Sequence, residues 1–444
     1  MHKTFHLVSL GCPKNLVDSE LVYGLLVKSG WQGLDEPDDA QILLINTCGF
    51  IQPAVEESVE EILQLAGLKK EHPDKKLVVI GCLVQRYREK LEQELAEVDL
   101  FVGTEGIGQI PALLDELISG KGGQRLITPD LFLMDANVPR SLSTPFFRAW
   151  LKITEGCDNR CSYCMIPSIR GRLRSREIDD IVREAQNLER SGVKELSLVA
   201  QDLTAYGMDL YDSGSLERLI GSLLKNTAMP WVRLMYLYPS TISEELLEIV
   251  AGNERIVPYL DIPLQHISTR ILKGMNRRYS KDDVFALLDR IRKTLPKAAL
   301  RTTFLIGFPG ETVDDVEQIE EFLRIARFDH VGVFGYANEE GCPAERMSGQ
   351  VADDEKEARL KQIVAIQSEI SQEKLQRFVN TTEQVLVEGF SRETDLLLEG
   401  RTRFQAPDID GCVLINEGET SPGEIVDIKI TEAQTYDLVG RIVS

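Results

Sequence analysis

Three cysteines fall within eight residues in CDNRCSYC (157–164): Cys157, Cys161 and Cys164, spaced by three residues and then by two. Thiolates this close together are metal ligands, and two kinds of centre are open to them. A structural zinc ion wants four protein ligands. The five histidines, His2, His6, His72, His266 and His330, are none of them close in sequence to this loop. A 4Fe–4S cubane is also held by thiolates. Three thiolates leave one iron open, which is useful where a substrate or cofactor must bind. The iron–sulfur reading fits better, with zinc as the alternative. Three further cysteines, Cys12, Cys48 and Cys82, each follow a short apolar run: FHLVSLGC (5–12), QILLINTCGF (41–50) and KLVVIGCL (76–83). If these runs are parallel strands, their carboxyl ends meet along one edge, where ligands bind. Three thiols then meet there too, with no histidine in a matching position. The bland alternative is three small apolar core residues.

The elements that must position these residues follow from periodicity. Residues 1–135 alternate short apolar runs, VDLFVGT (98–104) being a fourth, with helical stretches such as LVDSELVYGLLVKSG (16–30), which ends at a glycine. Such a βαβ series gives an open parallel α/β sheet. SGKGGQRLITPD and DANVPRSLSTP read as a linker around 119–145. Residues 145–370 repeat the alternation with six candidate strands: AWLKITEG, ELSLVAQD, WVRLMYLYP, YLDIPLQH, LRTTFLIGFPG and HVGVFGYA. Six β/α units make a partial TIM-like (β/α)6 barrel. The CDNRCSYC loop follows its first strand, on the face where barrel enzymes work. DDEKEARLKQIVAIQSEISQEKLQRF (353–378) reads as a long charged amphipathic helix. Residues 376–444 lose the helical period and read as a small all-β barrel.

The chain of 444 residues is long enough for three domains of roughly 150 residues each. With 50 Lys+Arg against 71 Asp+Glu it carries a formal charge of −21, a field that repels nucleic-acid phosphates and suits a basic partner. The last segment, 376–444, has thirteen acidic and six basic residues, where an RNA-binding barrel usually shows a basic face. No apolar run approaches the ~18 residues of a membrane span. The apolar stretch before Cys12 is shorter than the ~7–15 residues of a secretory signal. A cytosolic protein without disulfides is expected. The glycines of GTEGIG (103–108) lack dinucleotide-binding spacing, and no phosphate-loop motif occurs.

Cys-x3-Cys-x2-Cys after a first barrel strand resembles the radical S-adenosylmethionine (SAM) enzymes. With the second cysteine triad and a terminal β segment similar to a TRAM domain, essentially all 444 residues resemble the radical SAM methylthiotransferases. Within that family, LGCPKNLVDSE (10–20), EGCDNRCSYCMIPSIRG (155–171) and DIPLQH (261–266) are similar to members acting on a ribosomal protein. Members acting on tRNA usually have Gln-Met-Asn in place of Pro13-Lys14-Asn15. The resemblance implies two 4Fe–4S clusters, on Cys157, Cys161 and Cys164 and on Cys12, Cys48 and Cys82. It implies that SAM binds the barrel cluster and is cleaved to methionine and a 5′-deoxyadenosyl radical. The other cluster delivers sulfur, and a second SAM donates the methyl group. The implied target is an aspartate β-carbon of small-subunit ribosomal protein S-twelve, a basic protein. An electron donor such as flavodoxin and a sulfur donor are implied partners.

By the same resemblance several residues frame SAM. Tyr163 packs near the adenine. Gln201 and Asp202, in AQDLTAYG (200–207), hold the amino group. Gly307, with Gly310, in RTTFLIGFPGE (301–311), allows close approach to the nucleoside. Arg233, Gln265 and His266 complete the frame. Each has a plain structural alternative: core packing, a capping aspartate, a turn glycine, a satisfied core histidine. In IRGRLRSR (169–176), Arg172, Arg174 and Arg176 are expected on a solvated basic edge. Only Arg170 is singled out, by resemblance, to touch the SAM carboxylate or an acidic target loop. Cys342 and Cys412 are expected to be structural. Two rival functions remain: a tRNA methylthiotransferase, and an iron–sulfur protein that binds the ribosome or senses redox state without turnover.

Overall fold

The computed structural model describes residues 3–121, 125–128, 132–211 and 215–443. Near the amino terminus six parallel strands form one open sheet in the spatial order Gln32–Gly33, Thr4–Ser9, Ile42–Thr47, Lys76–Gly81, Leu100–Val102, Leu126–Ile127. The runs are apolar on both faces because helices such as Pro13–Lys28 and Gln52–Glu71 cover the sheet. The order reverses beside Thr4–Ser9, so the chain has a topological switch point between that strand and Ile42–Thr47. A crevice opens at such a point beyond the strand ends. The linker expected around 119–145 is corrected: Leu126–Ile127 adds a sixth strand to the sheet. Farther along, residues 139 and 140 are pinned as well. Arg140 pairs with Glu20 and Glu184 at 2.6 and 2.7 Å, and Gly24 makes room for the Pro139 carbonyl, which a Cβ would approach to 2.4 Å.

The middle of the chain is the partial barrel expected. Arg148–Lys152, Glu195–Val199, Trp231–Leu234, Ile256–Asp261, Ala299–Ile306 and His330–Gly335 lie side by side in sequence order, each pair parallel, in an open sheet. The helix Asp353–Leu375 buries the stripe Ile363, Ile366 and Ile370 against it. Capping boxes start two of the covering helices, at Ser280–Asp283 and Thr312–Asp315. One addition went unread in the sequence: Thr154–Glu155 and Arg174–Ser175 form a short antiparallel ladder that brackets the CDNRCSYC loop.

At the carboxyl end five strands close into a barrel in the order Thr382–Phe390, Leu398–Thr402, Val413–Glu417, Leu438–Ile442, Ile425–Ala433. One apolar cluster spans all three parts: Phe5 and Leu21 from the first sheet, Trp150, Trp231 and Tyr259 from the partial barrel, and Leu386 and Ala406 from the last barrel. Among the described residues no helix is long and apolar enough to cross a membrane.

Candidate functional site

Gly11, Gly81 and Gly156 immediately precede Cys12, Cys82 and Cys157, and have φ of +91°, +99° and +73°. Only glycine enters that region without strain, so at each point the chain turns sharply off its strand and presents a thiol. In the first sheet the turns interlock. A Cβ on Gly11 would lie 2.9 Å from Cys48 Cβ and 3.2 Å from its Sγ, and one on Gly49 would meet the Cys82 and Leu83 backbone at 2.8–2.9 Å. Three strand ends thus bring Cys12, Cys48 and Cys82 to one crevice. Ser58 fixes the middle one, its hydroxyl accepting from Cys48 N at 3.1 Å and donating to Cys48 O at 3.0 Å.

The second triad is held locally. Cys157 N donates to Gly171 O at 3.2 Å and Cys164 N to Cys161 O at 3.1 Å. Between them Ser162 is tied to Met275 O at 3.1 Å and Gly274 O at 2.8 Å. Asn159 donates to Asp202 at 2.7 Å, and the Arg277 guanidinium lies 3.6 Å from Cys161 Sγ. Tyr163 is half-buried against Phe308, Tyr336 and Met275 beside these thiols.

All eight cysteines are free of disulfides. Burial pushes the thiols of Cys82 and Cys164 up to about 12 and that of Cys157 up to about 11, and it raises Cys48 too. Within each triad the neighbouring thiols add to the rise. Desolvated thiols at this density become thiolates when a cationic centre is bound beside them. Among the described residues no three His, Cys, Asp or Glu side chains could hold a single metal ion. A cubane takes one thiolate at each iron corner, so its ligands stand farther apart than those of one ion. Each set thus offers three thiols to a 4Fe–4S cluster and leaves one iron open.

A buried ionic seam runs from Cys82 to Glu155, two residues before Cys157. Arg170 donates to Cys82 Sγ from Nε and a terminal nitrogen at 3.3 and 3.1 Å, to Asp18 at 2.6 Å and to Asn15 at 3.1 Å, and approaches Glu155 at 3.3 Å. Lys152 binds the same Asp18 and lies 2.8 Å from Glu155. Burial alone would raise the Glu155 carboxyl, but Lys152 and Arg170 hold it down to about 2. Every charge in the seam has a partner, so it fixes one arrangement of the two triads.

The other sequence candidates divide. Asp202 accepts from Asn159 and from Thr204 Oγ1 at 2.6 Å, next to Cys157. Gln201 leans on Glu155 at 3.4 Å and keeps a buried Oε1 without a partner. Gln265 has φ +69° and bridges to the strand through Leu305 N. His266 is fully buried; its Nδ1 accepts from Ile267 N and Ser268 N, both at 2.9 Å, and its Nε2 faces Glu311 at 3.3 Å. Glu311 also accepts from Gly307 N at 2.9 Å. His266 and Gly307 thus share one supporting network. The open approach expected at Gly307 is corrected: the Lys356 stem fills it, 2.3 Å from where a Cβ would stand. Arg233 lies elsewhere. It donates to Glu195 at 2.7 Å, at the opposite end of the strands from the cysteine loop, and Glu195 also takes Arg401 of the last barrel at 2.6 Å. It serves that seam. The arginine row is corrected too. Only Arg172 is solvated, 86% exposed; Arg174 pairs with Glu105 at 2.7 Å and Arg176 with Asp180 and Glu184 at 2.7 and 2.6 Å. Arg170 reaches Cys82 of the other triad. Sequence reasoning passed over Arg277, Asn159 and Ser58, because no local spacing marks them. Cys342 is buried close enough to Cys164 to raise it further.

Family comparisons cover most of the chain. Residues 4–103 match the uncharacterized protein family UPF0004, residues 151–323 the radical SAM superfamily, and residues 379–443 the TRAM domain. A protein of Desulfotalea psychrophila called ribosomal protein uS12 methylthiotransferase RimO is 59% identical over 440 residues, 99% of each chain. Proteins of the same name from Geotalea uraniireducens and Bdellovibrio bacteriovorus are 46% and 44% identical, over 98% and 100% of this chain and 98% of each relative. Among solved structures, the radical SAM methyltransferase TsrM from Kitasatospora setae, with cobalamin and a 4Fe–4S cluster bound, has a TM-score of 0.57 at 16% identity, over 76% of this chain and 72% of that one. The likeness to TsrM is one of fold.

Proposed function

The chain belongs to the RimO ribosomal protein uS12 methylthiotransferases, and on that premise we propose how its residues divide the work. It is a radical SAM methylthiotransferase that uses SAM and two 4Fe–4S clusters, and uS12 is its substrate. When bound, these groups supply what side chains do not: radical chemistry at an unactivated aspartate C–H bond, and the sulfur and methyl that replace its hydrogen. A positioned acid or base gives only ~10²–10⁴-fold, too little for such a bond.

Cys157, Cys161 and Cys164 hold the cluster that binds SAM, and Cys12, Cys48 and Cys82 hold the second. Asp202, kept in place by Asn159 and Thr204, receives the SAM amino group, with Gln201 presenting its unpartnered oxygen alongside. Tyr163 and Phe308 form the wall for the adenine. Gln265, His266 and Gly307 shape that wall, the last two through Glu311. Arg170 holds the Cys82 sulfur toward the barrel and screens its charge. The buried seam around it excludes water from between the triads. The cytosol is the compartment in which such a protein meets its ribosomal target, an electron donor such as flavodoxin, and a sulfur donor.

The observation that carries this reading is the arrangement of six free thiols as two triads on adjoining domains, with Arg170 reaching from the barrel loop to Cys82. The test uses anaerobically reconstituted protein with SAM, a reductant and sulfide, offered either uS12 or tRNA, and weighs the products. A methylthio group on the uS12 aspartate is expected. Methylthiolated tRNA with unmodified uS12 would overturn the substrate, and SAM turnover with neither product would overturn the reaction.

A further inference from the structure

The target aspartate brings a negative charge to the site, where the ion pairs around Arg170 are buried. We infer that Lys14 receives this carboxylate and so selects an acidic side chain as substrate, an inference that rests on the function proposed above. Three lysines are buried among the described residues: Lys14, Lys75 and Lys152. Lys152 is paired with Asp18 and Glu155, and Lys75 donates to the carbonyls of Pro37, Asp38 and Ala40. Lys14 differs from both. Its ammonium makes a single hydrogen bond, 3.3 Å to Ala200 O, and sits 4.1 Å above the Tyr236 ring. Among the described residues it has no ion pair.

A carbonyl and a ring face can orient an ammonium but cannot neutralise it. A buried charge without a counter-ion is costly, and buried charges are therefore normally paired. The nearby acid is already committed: Asp261 binds Arg301 at 2.9 Å and accepts from Tyr236 N at 3.2 Å. Tyr236 itself holds a left-handed backbone, φ +62°, which keeps its ring under the ammonium. A non-glycine residue bears that strain where function requires it.

The position suits the chemistry. Lys14 lies two residues after Cys12, at the start of the helix Pro13–Lys28. Ala200 precedes Gln201 and Asp202, which border the barrel triad. Lys14 therefore stands between the sulfur side and the SAM side. An aspartate carboxylate is bonded directly to Cβ, so anchoring it at Lys14 places Cβ between the two.

The test compares two synthetic peptides of the uS12 target loop, one with the aspartate and one with asparagine, binding to the reconstituted holoenzyme with SAM. The wild type should prefer the aspartate peptide by roughly 10- to 100-fold, the range for a hydrogen bond to a charged group. Lys14→Met should bind both peptides alike and turn over the aspartate peptide with a raised KM. Lys14→Arg should restore part of the preference, and the affinity for SAM should stay within about twofold. Iron content and thermal unfolding establish that each variant is folded and loaded. If Lys14→Met keeps the wild-type ratio between the peptides, the inference is overturned. It is overturned equally if SAM affinity falls while that ratio holds. A wild-type enzyme that leaves the aspartate peptide unmodified overturns the proposed function, and the role of Lys14 with it.

Discussion

The two cysteine triads reach similar ends by opposite means. Cys12, Cys48 and Cys82 stand at the carboxyl ends of three separate strands, so their separation is set by the hydrogen-bonded ladder of the first sheet. Cys157, Cys161 and Cys164 share one loop, shaped by a two-residue ladder and by bonds to Gly274 and Met275. A site dispersed over a sheet is as rigid as the sheet and fails when strands shift. A site within one loop is only as ordered as its few local bonds. The largest effect is expected from breaking either triad. Cys157→Ala should reduce both SAM cleavage and methylthiolation to background. Cys48→Ala should keep SAM cleavage and lose the methylthiolated product. Chromatography of the SAM products and mass spectrometry of uS12 read the two activities separately. A Cys48→Ala enzyme that still transfers a methylthio group would erase the functional difference between the triads.

Arg170 is where the two constructions meet, and its removal should be the next largest effect. Arg170→Met leaves Asp18 and Glu155 with Lys152 as their one shared cation, inside a seam where each side chain is less than a tenth exposed. Breaking a buried pair by deleting one partner costs about 3–5 kcal/mol. A loss of that order in denaturant unfolding is expected. Spectroscopy of the iron should show the Cys12, Cys48 and Cys82 centre disturbed first, because Arg170 touches Cys82 directly.

The comparison also explains what could be read in advance. Both triads were legible, one from spacing alone and one because each apolar run of the first sheet carries its cysteine just past the end. The open sheet, the partial barrel and the closing β-barrel followed from the same periodicities. Arg170 to Cys82 was not legible, since the contact spans 88 residues and two domains. The strand Leu126–Ile127 is two residues long, too short for any alternation to show. Family resemblance puts Arg233 in the SAM frame, and resemblance alone does not fix where its side chain points. Its direction depends on register, and here its guanidinium turns back to Glu195, the first residue of the neighbouring strand. Lys14 could be noticed in the sequence, but its isolation from carboxylates is a property of the assembled molecule.

Glycine-to-alanine changes sharpen the contrast at a smaller scale. Gly11→Ala forces a non-glycine residue to φ +91° and pushes its Cβ against the Cys48 side chain at 2.9 Å. Backbone strain of this kind costs about 1–3 kcal/mol. Gly156→Ala meets backbone instead, the Arg172 carbonyl at 2.0 Å, so the bracketing ladder must open. Each variant should lose iron from its own triad and keep the other, as read by iron content and by electron paramagnetic resonance of the reduced protein. Loss of both centres from Gly11→Ala would mean that the dispersed triad also holds the loop in place.

The smallest effect should come from Arg172→Ala, two residues from Arg170 in the same basic row. Arg172 is 86% exposed, and its nearest acid, Asp158 at 3.5 Å, is itself half exposed. An ion pair in water gains little after side-chain entropy and screening, about 0–1 kcal/mol. Unfolding free energy should move by less than ~0.5 kcal/mol, as for surface changes generally. Iron content and SAM cleavage should match the wild type. Four arginines alternate in this segment, and the alternation alone would give them one fate. The strand pairing at Arg174–Ser175 and the turn at Gly171, φ +74°, instead send Arg170 inward to Cys82 and leave Arg172 in solvent. If Arg172→Ala destabilised the protein as much as Arg170→Met, charge in the row, and not its direction, would be holding the two triads together.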